Sequence, residues 1–201
     1  MHISEGVLSP TVWISGYAAT AVVAGLTMRN LDMEEIPKIS VITSVFFVAS
    51  LIKVPIGPTS IHLILNGLAG IVLGRRAFAA IMVGIILQAI IFGHGGITTI
   101  GVNTLMMGTG ALVAYLVWLQ RYRFSFNKRE LVFGAIAGAV GTITSGIILA
   151  LALVTTGEEF RGMAVTVLTA HIPIMIIEAA VVGASAEFLN KTRPDILAGA
   201  R

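Results

Sequence analysis

Apolar residues in this chain run in long stretches, with polar and charged positions gathered into short segments between them. A helix that crosses about 30 Å of hydrocarbon needs ~20 such residues. Seven helices are predicted, over 10–28, 37–53, 60–74, 77–93, 98–120, 130–155 and 162–190. The third is short and follows Pro55-Ile56-Gly57-Pro58, so a half-length or re-entrant helix packed against protein is its alternative. The seventh is long and carries Pro173, which predicts a kink or an extension beyond the bilayer. The pattern reads as one transmembrane domain over residues 1–201, an all-α integral membrane protein of about seven helices.

Charge tests that count. With the N-terminus outside and seven alternating spans, the inner segments hold Arg29, Lys38, Arg75, Arg76, Arg121, Arg123, Lys128, Arg129, Lys191, Arg193 and Arg201. The outer segments hold Lys53 and Arg161, which completes the 13 Lys and Arg of the chain. This asymmetry fits the positive-inside rule. Treating 60–74 as non-spanning would put Arg75 and Arg76 outside and reverse everything downstream. Seven spans, with the N-terminus outside and the C-terminus cytoplasmic, is therefore the expected topology in a cell membrane.

Composition narrows the picture. Hydrophobic residues make up 56% of the chain and charged residues 11%, against ~25% charged in an ordinary soluble domain. Such a chain cannot cover itself with a polar surface, and disorder is excluded by the same balance. The net charge of +3 lies between apolar runs, so it points to the bilayer and not to nucleic acid. With no cysteine, there is no disulfide framework and no thiolate metal site. The start lacks the basic n-region of a signal peptide, and its apolar run continues through the cleavage-like Ala19-Thr20-Ala21, so retention of the N-terminus is expected.

Small residues recur at helical spacing: Gly16, Thr20 and Ala24; Gly70 and Gly74; Gly134 and Gly138. They allow close helix packing in lipid. Packing within the chain is the plain expectation. Docking of a separate membrane subunit is the sharper one, with the first helix (Ala18, Ala21, Ala24) its best candidate.

No phosphate-binding loop, His-Glu-x-x-His pair or nucleophile elbow occurs. Four histidines remain: His2, His62, His94 and His171. In the expected topology His2 is at the outer end and His62 is in the first turn of helix 3, which Thr59 or Ser60 could cap. His94 is in the outer loop, and His171 lies about nine residues, or ~14 Å, into helix 7. His94 could simply face water, and His171 could be a hydrogen-bonded structural residue two turns from Glu178. Glu178 needs a partner within the bilayer, which the sequence does not name.

His2 offers chemistry that no other position can. The α-amine of Met1, the amide nitrogen of His2 and its imidazole can close two fused chelate rings on one ion. Because His2 is large, Met1 is expected to be retained, with a free amine once any formyl group is removed. That amine loses its proton near pH 7.7–8.0. One more imidazole completes a square of nitrogens, which suits Ni(II) or Cu(II) and not tetrahedral Zn(II).

The chain resembles the substrate-binding membrane component of nickel and cobalt energy-coupling-factor transporters, the NikM or CbiM family. The resemblance covers nearly the whole length. It rests on Met1-His2-Ile3-Ser4-Glu5-Gly6-Val7-Leu8-Ser9-Pro10, on Val54-Pro55-Ile56-Gly57-Pro58-Thr59-Ser60-Ile61-His62-Leu63 with Asn66-Gly67-Leu68-Ala69-Gly70, and on Phe92-Gly93-His94-Gly95-Gly96-Ile97-Thr98-Thr99 with Gly101-Val102-Asn103-Thr104. It implies seven helices, an N-terminus folded inward from outside, and an ion held by the amine of Met1, the amide and imidazole of His2, and His62. It places His94 and Asn103 in a supporting shell. It also implies partners: a transmembrane coupling subunit, ATP-binding subunits and a small auxiliary membrane protein.

Two other readings compete. A secondary transporter or channel would use Glu178 and His171 as an ion relay. A membrane enzyme with a histidine-bound metal would need at least three side-chain ligands and an open position.

Overall fold

The computed structural model describes residues 2–56 and 59–198. Among them are seven α-helices: α1 (Pro10–Met28), α2 (Ile36–Ala49), α3 (Asn66–Leu73), α4 (Ala77–Phe92), α5 (Ile100–Leu119), α6 (Arg129–Thr156) and α7 (Arg161–Thr192). Three short strands join them: β1 (His2–Ile3), β2 (Lys53–Ile56) and β3 (Thr59–His62). Among the described residues, five segments are long and apolar enough to cross a membrane: 10–28, 66–92, 100–123, 129–156 and 158–192. The chain is a predominantly α-helical membrane protein.

The predicted second and third helices need correction. α2 has 14 residues and α3 has 8, about 21 Å and 12 Å at 1.5 Å per residue, so neither alone spans the hydrocarbon. Between them, β2 and β3 pair antiparallel. Pro55 denies the helix an amide, and β-branched Val54, Ile56, Thr59 and Ile61 favour extended backbone. His62 therefore lies on β3, not in a helical turn, and Thr59 and Ser60 cap nothing. β1 adds to the other edge of β3, with His2 opposite Ser60 and Ile3 opposite Thr59. The strands satisfy one another's backbone groups, as non-helical chain among apolar helices requires.

α3 starts in an unexpected way. Leu65 precedes it in the left-handed region, at φ 54°, and no side chain from its own segment caps it. The Glu178 carboxylate of α7 accepts the amide N–H groups of Ile64 and Leu65 instead. Asn66 then ties α3 to α6, donating to Ser145 Oγ at 2.8 Å and to the Gly141 carbonyl at 3.1 Å.

The small-residue motifs pack within the chain. A Cβ on Gly138 would meet the Glu178 carbonyl of α7 at 2.6 Å, and one on Gly70 the Ala111 carbonyl of α5 at 2.4 Å. On α1, Gly16 lies against Val102 and Thr20 donates to the Gly101 carbonyl at 2.6 Å. Ala24 is buried too, so it is not part of an outer docking stripe, whereas Ala18 and Ala21 are exposed. Large apolar side chains such as Val22, Leu26, Ile90, Leu116 and Ile176 point outward, as a lipid-facing surface requires. At the far end of α1, Arg76 donates to the carbonyls of Thr27, Arg29 and Asn30 and pairs with Glu35. Three of these contacts go to carbonyls at the end of α1, where a helix leaves such groups without partners and a positive charge is favoured.

Candidate metal centre

The three-stranded sheet builds the site. Side chains alternate along a strand, and cross-strand partners share a face. Since His2 faces Ser60, and Ser60 and His62 are two apart, His2 and His62 lie on one face as diagonal neighbours. Their ring centroids are 5.0 Å apart. His94, in the turn after α4, brings a third ring to 5.6 Å from His2. All three side chains are buried.

Each of the first two rings uses one nitrogen for the fold and leaves the other without a hydrogen-bond partner. His2 Nε2 lies 2.7 Å from Gln88 Oε1, and its Nδ1 is free. His62 Nδ1 donates to the Leu63 carbonyl at 2.7 Å, and its Nε2 is free. A carbonyl oxygen only accepts, so the ring hydrogen of His62 sits on Nδ1 and Nε2 carries a lone pair. His94 Nδ1 is also free. Buried polar nitrogens are normally satisfied; unpartnered nitrogens on neighbouring rings are groups that a cation could complete.

Burial holds these rings neutral. Desolvation pushes His2 down to about 4, partly offset by the Gln88 hydrogen bond, with His94 and Lys53 adding repulsion. Desolvation likewise takes His62 to about 4, against the opposing Leu63 hydrogen bond. His94 is lowered by burial first and by the Lys53 charge second. Neutral imidazole is the ligand form.

The N-terminal segment is clamped from several sides. Asn103 Oδ1 accepts the Ile3 N–H at 2.9 Å, and its Nδ2 donates to the Ile3 carbonyl at 3.2 Å. One amide side chain thus pairs with both backbone groups of Ile3, on the edge opposite β3, as an adjoining strand would. Thr59 Oγ1 donates to the His2 carbonyl at 2.7 Å. Glu5 accepts from Thr98 Oγ1 at 2.6 Å and from its amide. The turn over this segment needs glycine: Gly95 has φ +79° and Gly96 +119°, and a Cβ on Gly96 would overlap the Glu5 carboxylate.

The predicted site residues are thus distributed as follows. His2, His62 and His94 come together, and Asn103 holds the strand that carries His2. Met1 lies outside the described residues. His171 donates from Nδ1 to the Val167 carbonyl on its own helix, and Glu178 is engaged at the start of α3. Among the described residues, no three His, Asp, Glu or Cys side chains are disposed to hold one ion. A side-chain-only metal centre of the enzyme type is therefore not what these residues form.

Sequence reasoning missed Gln88, fully buried at mid-helix beside Ser50. An uncharged polar residue in the apolar run 77–92 was the available signal.

The family model described as "Cobalt uptake substrate-specific transmembrane region" matches residues 2–196. A Haemophilus influenzae protein assigned to metal transport is 34% identical, over 98% of this chain and 97% of that one. The fused nickel transport protein NikMN of Rhodobacter capsulatus is 29% identical, over 100% of this chain and 65% of its own. A crystal structure of a transition metal transporter superposes with a TM-score of 0.84 at 26% identity, covering 95% of this chain and 93% of that chain.

Proposed function

This chain belongs to the cobalt uptake substrate-specific transmembrane family, and from that premise we propose that it captures Ni(II), or in its place Co(II), at the outer face of a membrane and delivers it inward. Four nitrogens hold the ion: the Met1 amine, the His2 amide and Nδ1, and His62 Nε2. The observation that carries this reading is the pair of free lone pairs on His2 and His62, on rings 5.0 Å apart, each ring fixed through its other nitrogen.

The chemistry of the donor set favours nickel. The amine, amide and Nδ1 of one N-terminal dipeptide lie in a plane, and planar nitrogen coordination suits Ni(II). Ni(II) also stands above Co(II) in the affinity order, while Cu(II) stands higher still and is excluded by availability and pocket shape. Ligation of the amide costs a proton, which the Lewis-acidic ion displaces.

The topology belongs to the same proposal: N-terminus outside, C-terminus cytoplasmic, with α2, the β2–β3 pair and α3 together taking the place of two full crossings. Transport draws on a transmembrane coupling subunit, ATP-binding subunits and a small auxiliary membrane protein, since the sequence contains no phosphate loop.

A chain carrying one extra residue before Met1 tests the ligand set. The extra peptide bond turns the amine into an amide and displaces the free amine from the chelate. Calorimetry is expected to give about one Ni(II) per wild-type chain and loss of binding in the extended chain. Equal affinity in both would overturn the proposal.

A further inference from the structure

The free nitrogen of His2 is decided two residues away from the ring. The Phe47 carbonyl can only accept, and Ser50 Oγ lies 2.7 Å from it, so the single hydroxyl hydrogen of Ser50 is spent there. Toward Gln88, 2.7 Å away, the Ser50 oxygen can then only accept. That turns the NH2 edge of Gln88 to Ser50 and its carbonyl edge to His2. The carbonyl in turn can only accept, so the ring hydrogen of His2 sits on Nε2 and the unpartnered Nδ1 keeps its lone pair, on a ring 5.0 Å from that of His62 and 5.6 Å from that of His94.

We infer that Gln88, oriented by Ser50, is the positioning residue that fixes the His2 tautomer and so presents Nδ1 as a metal donor. This rests on the reading above that His2 Nδ1 is a ligand. The proton count of the ring does not change; only the place of the proton does. A neutral imidazole without such a partner distributes its hydrogen over both nitrogens, and only Nδ1 can close a six-membered ring with the His2 amide. Ser50 and Gln88 are fully buried and His2 is 2% exposed, so water does not substitute for the relay.

The helices place the relay by register. Thr43 of α2 donates to the Ala80 carbonyl of α4. One turn on, Phe46 lies against Gly84, where a Cβ would meet its ring at 2.5 Å. One turn further, Ser50 meets Gln88. Residues 43, 46 and 50 share a helix face, as do 80, 84 and 88. An amide suits this position because one edge accepts and the other donates, which transmits polarity across an apolar interior without adding a charge.

The experiment uses the full chain with 15N-labelled histidine, reading the His2 tautomer by NMR without metal and Ni(II) affinity by calorimetry. Wild-type protein is expected to show His2 protonated at Nε2 and to bind Ni(II). If it binds no Ni(II), the functional reading fails, independently of the relay. Gln88→Leu removes the acceptor: a mixed tautomer and an affinity loss of about tenfold to hundredfold are expected, the usual effect of removing a ligand's outer partner. Gln88→Glu keeps the acceptor and is expected to keep both the tautomer and, within a few-fold, the affinity. Ser50→Ala touches neither ring nor ion. It frees the amide to turn, and an intermediate mixture and loss are expected, which decides the question if Gln88→Leu does not fold. A wild-type tautomer in both Gln88→Leu and Ser50→Ala would overturn the inference, as would Gln88→Glu losing the tautomer like Gln88→Leu.

Discussion

Single nitrogens set the response to acid. His2 and His62 titrate near 4 because burial opposes their charge, so above that pH they are already in the ligand form. The Met1 amine, with its ordinary pKa of ~7.7–8.0, and the His2 amide must each release a proton on binding. Between pH 5 and pH 7, affinity for Ni(II) is therefore expected to fall about hundredfold for each unit of acidification. Calorimetry over that range checks it. A steeper fall below about pH 6.5, the ordinary histidine value, would show that the rings are not held neutral. A flat affinity would remove the amine and amide from the site. The two proposed ligand histidines were legible in the sequence, His2 from its position next to the amino terminus and His62 through the family resemblance. The residues that orient them were not. Gln88 and Ser50 act through contacts between segments 38 positions apart, and nothing in either local sequence announces the other.

At the scale of elements, β1 is held by β3 on one edge and by the Asn103 amide on the other. Asn103→Ala removes both side-chain contacts to Ile3 and leaves a buried N–H without a partner, at a cost of about 1–3 kcal/mol. The Ile3 amide is expected to lose hydrogen-exchange protection, and Ni(II) affinity to fall about tenfold or more. Unchanged exchange at Ile3 would show that β3 alone suffices. Glu178 plays a comparable part for α3. Glu178→Leu strips the acceptor from the Ile64 and Leu65 amides and is expected to destabilise the protein by roughly 2–6 kcal/mol, taking the same penalty twice. Glu178→Gln retains a carbonyl acceptor, so wild-type Ni(II) binding is expected; loss of it would favour an ion-relay role for this carboxylate. Most helices were readable from apolar run length. The β2–β3 pair was not, because apolar β-branched residues serve a buried strand and a short buried helix alike. What separated them was tertiary: β1 supplied a pairing edge, and a carboxylate more than a hundred residues away started α3.

For the whole molecule, the exposed apolar side chains of α1, α2, α4 and α7 form a surface suited to lipid, and the proposed transport cycle needs partner subunits for energy. In liposomes, the isolated chain is expected to retain about one Ni(II) per molecule and to show no continuing flux; sustained flux without ATP would mark a channel or secondary transporter. The account depends most on a planar set of four nitrogens that includes the amino terminus, and the absorption spectrum and magnetism of the nickel-loaded protein test it most directly. A yellow, diamagnetic complex is predicted, as a square plane requires. A green, paramagnetic complex would mean six-coordinate Ni(II) and would contradict it.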